Sequence, residues 1–153
     1  MTIHEALETT AGELTTPVRY IFSTLEEANA TLMDKIPNGD FPVCFVIAFN
    51  INDYERANGR VKSQAEINVM FLDKIPAATI DTPITKIETD VVAPMRTLTR
   101  EFVNKLDKLD VIEDDGISSV NHQSVHEAVM DAHLYGNMGV FTIKFTEDLS
   151  TCE

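Results

Sequence analysis

The sequence predicts a single α+β domain in which a mostly antiparallel sheet with a long hairpin arm packs against one long helix and two shorter helices. Residues 61–71 alternate apolar and polar side chains, a period typical of a strand with one buried face. Residues 41–50 are almost continuously apolar, as expected for a strand covered on both faces. Residues 87–109 carry an apolar stripe at steps of three and four, which is typical of an amphipathic helix. Because no linker or internal repeat divides the sequence, we predict one domain over residues 1–153.

Two shorter helices and a strand are predicted ahead of the central strand. Capping-box patterns begin at Thr2 and at Thr24, where a hydroxyl group can accept a hydrogen bond from the backbone three residues later. The second helix is expected to cover residues 24–36, because Pro37 follows it directly. Between the two helices, residues 18–22 are β-branched and aromatic and predict a short strand.

A polar segment without an apolar stripe separates the two central strand patterns. It ends in Asn58-Gly59, a dipeptide typical of a tight hairpin turn. We interpret residues 52–60 as a polar hairpin loop and predict an exposed arm at about residues 50–62. The candidate contact residues of this arm are Asn52, Asp53, Tyr54, Glu55, Arg56, Asn58 and Arg60.

The long helix is the strongest periodic signal in the chain. A third capping box at Thr85 is expected to begin it. Pro94 lies inside the pattern and is expected to kink the helix, because proline lacks a backbone donor and clashes with the preceding turn.

The last third of the chain gives weaker signals. The acidic residues 111–116 are interpreted as a turn, whereas residues 124–135 fit a helix or a strand equally well. Gly136 and Gly139 are interpreted as a turn, and the alternation over residues 140–145 predicts a final strand.

The charge of the chain argues against a nucleic-acid-binding protein. It has 25 acidic and 12 basic residues, a formal net charge of −13 at pH 7, whereas affinity for phosphate backbones comes from lysine and arginine. The sequence therefore predicts no nucleic-acid-binding residues. The negative charge fits two interpretations: it keeps the protein soluble, or it forms a surface that repels DNA so that DNA can pass.

The sequence predicts neither a membrane segment nor export. Its longest apolar run is far shorter than the roughly 20 residues that span a bilayer, and residues 1–14 lack a leader pattern. Cys44 lies inside an apolar strand pattern and Cys152 lies at the C-terminal end, so we expect no disulfide.

No complete catalytic or metal-binding set occurs in the sequence. A nucleophilic role for Cys44 is not expected in a buried strand, and no Gly-x-Ser-x-Gly motif is present. The residues that best fit a metal site are His122, His126, His133, Glu127 and Asp131. They lack zinc-protease spacing, because Met130 stands where a second histidine would be needed. We interpret these histidines as surface or interface residues and predict no catalytic residue, no metal and no cofactor.

The order and size of the elements resemble the neck and tail-terminator proteins of tailed phages. The resemblance covers most of the chain but includes no catalytic signature. It is carried by the leading helix, the strand pair with its arm, the long helix with Met95-Arg96-Thr97-Leu98 and Phe102-Val103-Asn104-Lys105-Leu106, and the closing Leu134-Tyr135-Gly136 and Phe141-Thr142-Ile143-Lys144-Phe145. It implies a tail-terminator-like domain in a ring at or below the portal. The neck of crAss-like phages, a stack of several small ring proteins, is a narrower form of the same resemblance.

This resemblance implies a function and a set of partners. The chain would be a structural, non-enzymatic virion protein, made in the host cytoplasm and assembled as a homo-oligomeric ring of six or twelve copies. Its partners would be other phage neck, portal or tail proteins, with DNA passing through the lumen without sequence-specific binding, and the arm would contact the next ring. The alternative is a small acidic phage regulator or DNA-mimic anti-defence protein, which the net charge of −13 also fits.

Overall fold

The computed structural model of the protein describes residues 1–27, 42–74, 84–129 and 134–148, with only the backbone described at 126–129, and it confirms the predicted α+β class. Three helical elements are described: α1 (Ile3–Gly12), the short α2 (Leu25–Glu27) and the long α3, which comprises Ile84–Ile87, a π-helical turn at Glu88–Val92 and Ala93–Asp107. The strands of the described residues are β1 (Arg19–Ser23), β2 (Val43–Ile47), β3 (Ile51–Ala57), β4 (Arg60–Lys74), β5 (Ile112–Ile117), β6 (Asn121–Val129) and β7 (Leu134–Asp148).

Two long antiparallel strands form the middle of the sheet. β4 and β7 have 15 residues each and pair along their whole length, from Arg60 opposite Asp148 to Lys74 opposite Leu134. At about 3.3 Å per residue, the pair is about 50 Å long. The other edge of β4 pairs with both β2 and β3. The other edge of β7 pairs with both β5 and β6, and β1 pairs with β2 in parallel.

The hairpin end of this sheet is a four-stranded ribbon in the order β3-β4-β7-β5. We define the ribbon as β3, β5 and the paired residues 60–65 of β4 and 143–148 of β7. Its two edges are therefore β3 on one side and β5 on the other.

The main core lies between the sheet and the helices α1 and α3. The period-two alternation points the apolar side chains of β4 and β7 toward the helices, and the α3 stripe meets them with Met95, Leu98, Phe102 and Leu106. A smaller cluster of buried residues lies on the opposite face of the sheet and comprises Val43, Phe45, Met70, Leu72 and Leu134. β2 contributes to both clusters, so the prediction of a strand covered on both faces is confirmed.

Two of the three predicted helix caps are confirmed. The Thr2 hydroxyl accepts a hydrogen bond from the Glu5 backbone at 3.2 Å, and the Thr24 hydroxyl accepts one from the Glu27 backbone at 3.1 Å. The rest of the predicted second helix, residues 28–36, lies outside the described residues. The third prediction is wrong, because α3 already begins at Ile84 and Thr85 lies inside its first turn.

The long helix accommodates Pro94 through a wider turn. The Ala93 backbone donates to the Glu88 carbonyl five residues earlier, the pattern of a π-helix. In a regular α-helix the Pro94 ring would press on the carbonyl group four residues before it. The π-helical turn immediately before Pro94 changes the spacing of these carbonyl groups, and α3 continues to Asp107.

Two turn predictions in the last third of the chain are wrong. Residues 112–117 form β5 despite their acidic sequence, and Asp115 adopts a positive φ of 55° where the register shifts. Gly136 and Gly139 lie inside β7, which follows β4 for its whole length. A Cβ atom at Gly136 would meet the β4 backbone at Phe71, and one at Gly139 would meet the Thr99 side chain of α3. Of the ambiguous residues 124–135, those at 124–129 are in β6, whereas 130–133 lie outside the described residues.

Candidate functional site

All seven candidate arm residues lie at the exposed hairpin end of the ribbon, but the segment is not a loop. The first five of them lie in β3, in which every residue is exposed. Asn58 and Gly59 form a two-residue turn with φ of 53° and 75°, as a type I′ turn requires. The tight Asn-Gly turn is therefore confirmed, whereas the loop interpretation of residues 52–60 is wrong. Pairing with β4 satisfies backbone groups of β3, so the polar composition did not prevent a strand.

The arm is supported on one side and open on the other. Residues 60–65 of β4 pair with β3 and at the same time with β7, and Val61, Ser63 and Ala65 are buried. The hairpin is therefore part of the sheet rather than a free projection. Among the described residues, no strand pairs with the outer edge of β3.

A polar network crosses the ribbon on the face away from the helices. The Tyr54 hydroxyl donates to Glu113 of β5 at 2.7 Å, and Lys144 lies 5.9 Å from the centre of the Tyr54 ring. Lys62 lies 3.5 Å from Glu55 and 4.0 Å from Glu113. Desolvation of the hydroxyl, its hydrogen bond to Glu113 and the nearby negative charges raise the pKa of Tyr54 to about 12. Tyr54 therefore remains a neutral donor that links β3 to the far edge of the ribbon.

The tip of the arm carries more positive than negative charge. Residues 51–62 contain two acidic and three basic side chains, a net charge of +1 in a chain of −13. Asp53 accepts hydrogen bonds from Ser63 at 2.7 Å and from Arg56 at 3.3 Å, whereas Arg60 forms no ion pair with any described residue. A groove of about 600 Å³ at the tip is lined by Glu55, Ala57, Asn58, Arg60, Lys62 and Thr146. This polar lining suits a charged protein surface better than an apolar small molecule.

The opposite edge of the ribbon is strongly acidic. Residues 107–115 contain five acidic side chains and one lysine, a net charge of −4. We define the acidic corner as four exposed carboxylates that form no ion pair with the described residues: Asp107, Asp110, Asp114 and Asp115. The corner lies where α3 ends and β5 begins. Its charge and the irregular register of β5 both disfavour the addition of another strand at this edge.

Sequence reasoning missed an exposed aromatic patch beside β3. The His4 ring lies 4.9 Å from Phe22 and 5.3 Å from Phe49, and the two phenylalanine rings are 5.7 Å apart. Phe22 is 41% exposed, and Ile51 at the start of β3 is 42% exposed. We define His4, Phe22, Phe49 and Ile51 as the aromatic patch. Its members come from α1, β1 and the segment around the start of β3, so no periodic pattern brings them together in the sequence.

A second polar cluster joins the long helix to β6 and β7. Arg96 donates hydrogen bonds to Ser124 at 2.6 Å, Glu88 at 3.1 Å and Asn137 at 3.4 Å. The amide of the fully buried Asn137 donates to Thr99 at 3.0 Å. Because these groups satisfy one another, the cluster fixes the helix on the sheet.

Of the five residues that best fit a metal site in the sequence, the structure describes the side chain of one. His122 lies on β6 with its Nδ1 atom 3.0 Å from the Asn137 amide nitrogen, whereas the side chains of the other four candidates lie outside the described residues. Within the described ranges, no group of three or more histidine, cysteine, aspartate or glutamate side chains is placed to hold a metal ion. Cys44 is buried as predicted, and burial raises the pKa of its thiol, which keeps the sulfur protonated. Cys152 lies outside the described residues.

We expect the free energy of unfolding to decrease as the pH falls below about 6.5, in part because of His122. Desolvation and the positive charges of Arg100 and Arg96 lower the pKa of His122 in the folded protein. The unfolded chain therefore binds this proton first, and stability present above the ordinary pKa is lost as the pH falls toward the lowered one. Urea unfolding at a series of pH values should show a weaker pH dependence for His122→Gln in this window. The same pH dependence in both proteins would contradict the expectation.

Comparison with models of known protein families and with curated protein sequences gave no match. None of the described helices is both long enough and apolar enough to cross a membrane.

Proposed function

We propose that the protein is a structural subunit of a tailed-phage virion that forms a ring in the neck, at the head-tail connector, through which DNA passes. The observation that carries this proposal is the open edge of β3 with the aromatic patch beside it. Apolar groups exposed beside a polar rim are typical of contacts between proteins. In this proposal the virion is the site of action, and the neighbours are other neck, portal or tail proteins.

The polar chemistry of the described residues supports a structural function. The cross-ribbon network and the cluster around Arg96 use their side chains to join strands and helices to one another. Catalysis would need a nucleophile or base held next to a substrate cleft. The thiol of Cys44, the cysteine among the described residues, is instead buried in the core. We therefore assign no catalytic step to the protein.

The charge of the chain supports a lumen that does not hold DNA. At −13, a ring of identical copies would present a negative field, and DNA phosphates would be repelled rather than bound. A ring also needs a heterologous contact, in which one surface of a subunit meets a different surface of the next. The two unlike edges of the ribbon offer such a pair of surfaces.

Imaging of intact particles of the encoding phage tests this proposal. We expect density for the chain repeated around the tail axis with six-fold or twelve-fold symmetry, and the chain in the protein composition of purified particles. Absence of the chain from particles would overturn the proposal and favour the acidic regulator. That regulator should instead bind a basic enzyme as a monomer or dimer.

Replacing the β3 side chains should impair assembly more than folding. All seven β3 residues are exposed, and residues 60–65 of β4 would still pair with β7. A Gly-Ser segment of equal length in place of residues 52–57 is therefore expected to change the melting temperature by only a few degrees. Incorporation of the variant into particles, measured by complementation of a deletion phage, should be lost. Loss of the folded protein, or normal incorporation, would contradict this expectation.

A further inference from the structure

We propose that His122 is a pH-sensitive switch: its neutral ring holds β6 on Asn137 of β7, and protonation of the ring releases β6 within the folded protein. The proposal does not depend on the proposed ring, because it concerns a change inside one subunit. It also goes beyond the pH dependence of unfolding described above. The central strands and α3 stay packed while β6 is released.

The hydrogen bonds of the Asn137 amide fix its orientation. The amide oxygen accepts from Arg96 Nε at 3.4 Å, and a guanidinium group can only donate. The amide nitrogen donates to the Thr99 hydroxyl at 3.0 Å, because that hydroxyl gives its own proton to the Met95 carbonyl at 2.9 Å. A flipped amide would place its N–H groups against Arg96. Since Asn137 is fully buried, no solvent is available to accept them.

This orientation leaves the second N–H group of Asn137 for His122. The Nδ1 atom of His122 lies 3.0 Å from the Asn137 amide nitrogen. Nδ1 must therefore accept, which assigns the ring proton to Nε2. A second proton, on Nδ1, turns this acceptor into a donor, and two N–H groups then face each other across the contact. The hydrogen bond that joins β6 to Asn137 is lost when the ring is protonated.

The charges around His122 also oppose protonation. Among the described residues, the charged groups that face the ring are Arg96 and Arg100 of α3, and Glu88 is bonded to Arg96 at 3.1 Å. Residues 136–140 of β7, which pair with β6 here, carry no charge. Desolvation and the two arginine charges lower the pKa of His122, so the proton binds more tightly once β6 is released. Release therefore increases as the pH falls below about 6.5.

β6 has few other attachments to the domain. Within the part of the chain that the structure describes, it pairs with β7 alone. None of the side chains at 121–125 is buried, although Val125 packs partly on the smaller core cluster. The second described side-chain hydrogen bond from β6 joins Ser124 to Arg96 at 2.6 Å. The main core of the described residues includes no residue of β6, so this strand can open while the core stays packed.

Amide NMR spectra of the purified full-length chain, recorded from about pH 8 to about pH 5, test the proposal. We expect the signals of residues 121–125 and of the Asn137 side-chain amide to change together, with the midpoint of the His122 ring titration. Exchange of the β6 amides with solvent should become several-fold faster at the acid end, after correction for the intrinsic rate. Signals of residues 43–46 in β2 should keep their positions.

Three variants identify the group that responds. His122→Gln provides an amide oxygen that accepts from Asn137 at every pH, so the signals of β6 should no longer change. His126→Gln is the matched control, because it makes the same substitution on the same strand and should leave the change in place. Arg100→Ala removes an exposed charge that opposes protonation, and it should move the midpoint to higher pH.

Several results would overturn the switch. One is a His122 ring that titrates without a change at the other residues of 121–125, and another is a ring that stays neutral until the whole domain unfolds. A change of β6 that survives His122→Gln, or that disappears in His126→Gln, would also assign the response to another group. If His122→Gln does not fold, the midpoint of Arg100→Ala decides, and an unchanged midpoint rejects the proposal.

Discussion

Phe102→Ala should leave the protein molten or insoluble. Phe102 is fully buried in the middle of the α3 stripe, and its ring packs edge-on against Phe71 of β4 at 5.7 Å. Truncation removes this contact and leaves a cavity between the long helix and the central strands, at a cost of about 3–5 kcal/mol. Domains of this kind are stable by only about 5–15 kcal/mol in total. Urea unfolding, or the soluble fraction where the variant does not purify, measures the effect.

Arg100→Ala is the matched control for that substitution. Arg100 lies two residues earlier on the same helix and is exposed, so its truncation leaves no cavity. We expect the control to unfold within about 0.5 kcal/mol of the wild type. Equal stability of the two variants would contradict the packing of α3 on β4 through Phe102.

The parts of the fold that follow from local periodicity could be predicted from the sequence. The alternation that predicts β4 and the stripe that predicts α3 both arise because one face of each element is buried in the same core. The first two caps follow from side chains that bond to their own neighbours in the chain. Signals of this kind depend on residues only a few positions apart, so they can be recognised in the sequence alone.

The parts that depend on pairing between distant residues could not be predicted in this way. β3 and β5 are polar or acidic, and they become strands because β4 and β7 present unpaired backbone groups to them. The candidate functional surface, too, could be predicted from the sequence only in part. The arm residues were found from their polarity, but the aromatic patch joins residues as far apart as His4 and Phe49. The acidic sequence at 107–115 was visible, but the position of β5 at the other edge of the ribbon from β3 required the order of the strands.

Gly136 shows how strongly such pairing constrains the chain. After Phe102→Ala, we expect Gly136→Ala to cause the second large decrease in the free energy of unfolding. A Cβ atom at this position would overlap the backbone carbonyl oxygen of Phe71. Gly136 lies between Leu72 of β4 and Val125 of β6, so β7 is held on both sides and cannot move aside. We expect a loss of at least about 3 kcal/mol or failure to fold.

The comparison for this substitution is Gly12→Ala at the end of α1. A Cβ atom there meets no other atom within 4 Å, so the same added methyl group has open space. Alanine favours a helix over glycine by about 0.5–1 kcal/mol, so this variant should unfold at the same or a slightly higher urea concentration than the wild type. Since both variants add one methyl group, the difference between their unfolding midpoints reports the close approach of β7 to β4. Similar midpoints would mean that β4 and β7 lie farther apart than the pairing of Leu72 with Gly136 requires. The arrangement of β3 and β5 at the two edges of the ribbon would then need revision as well.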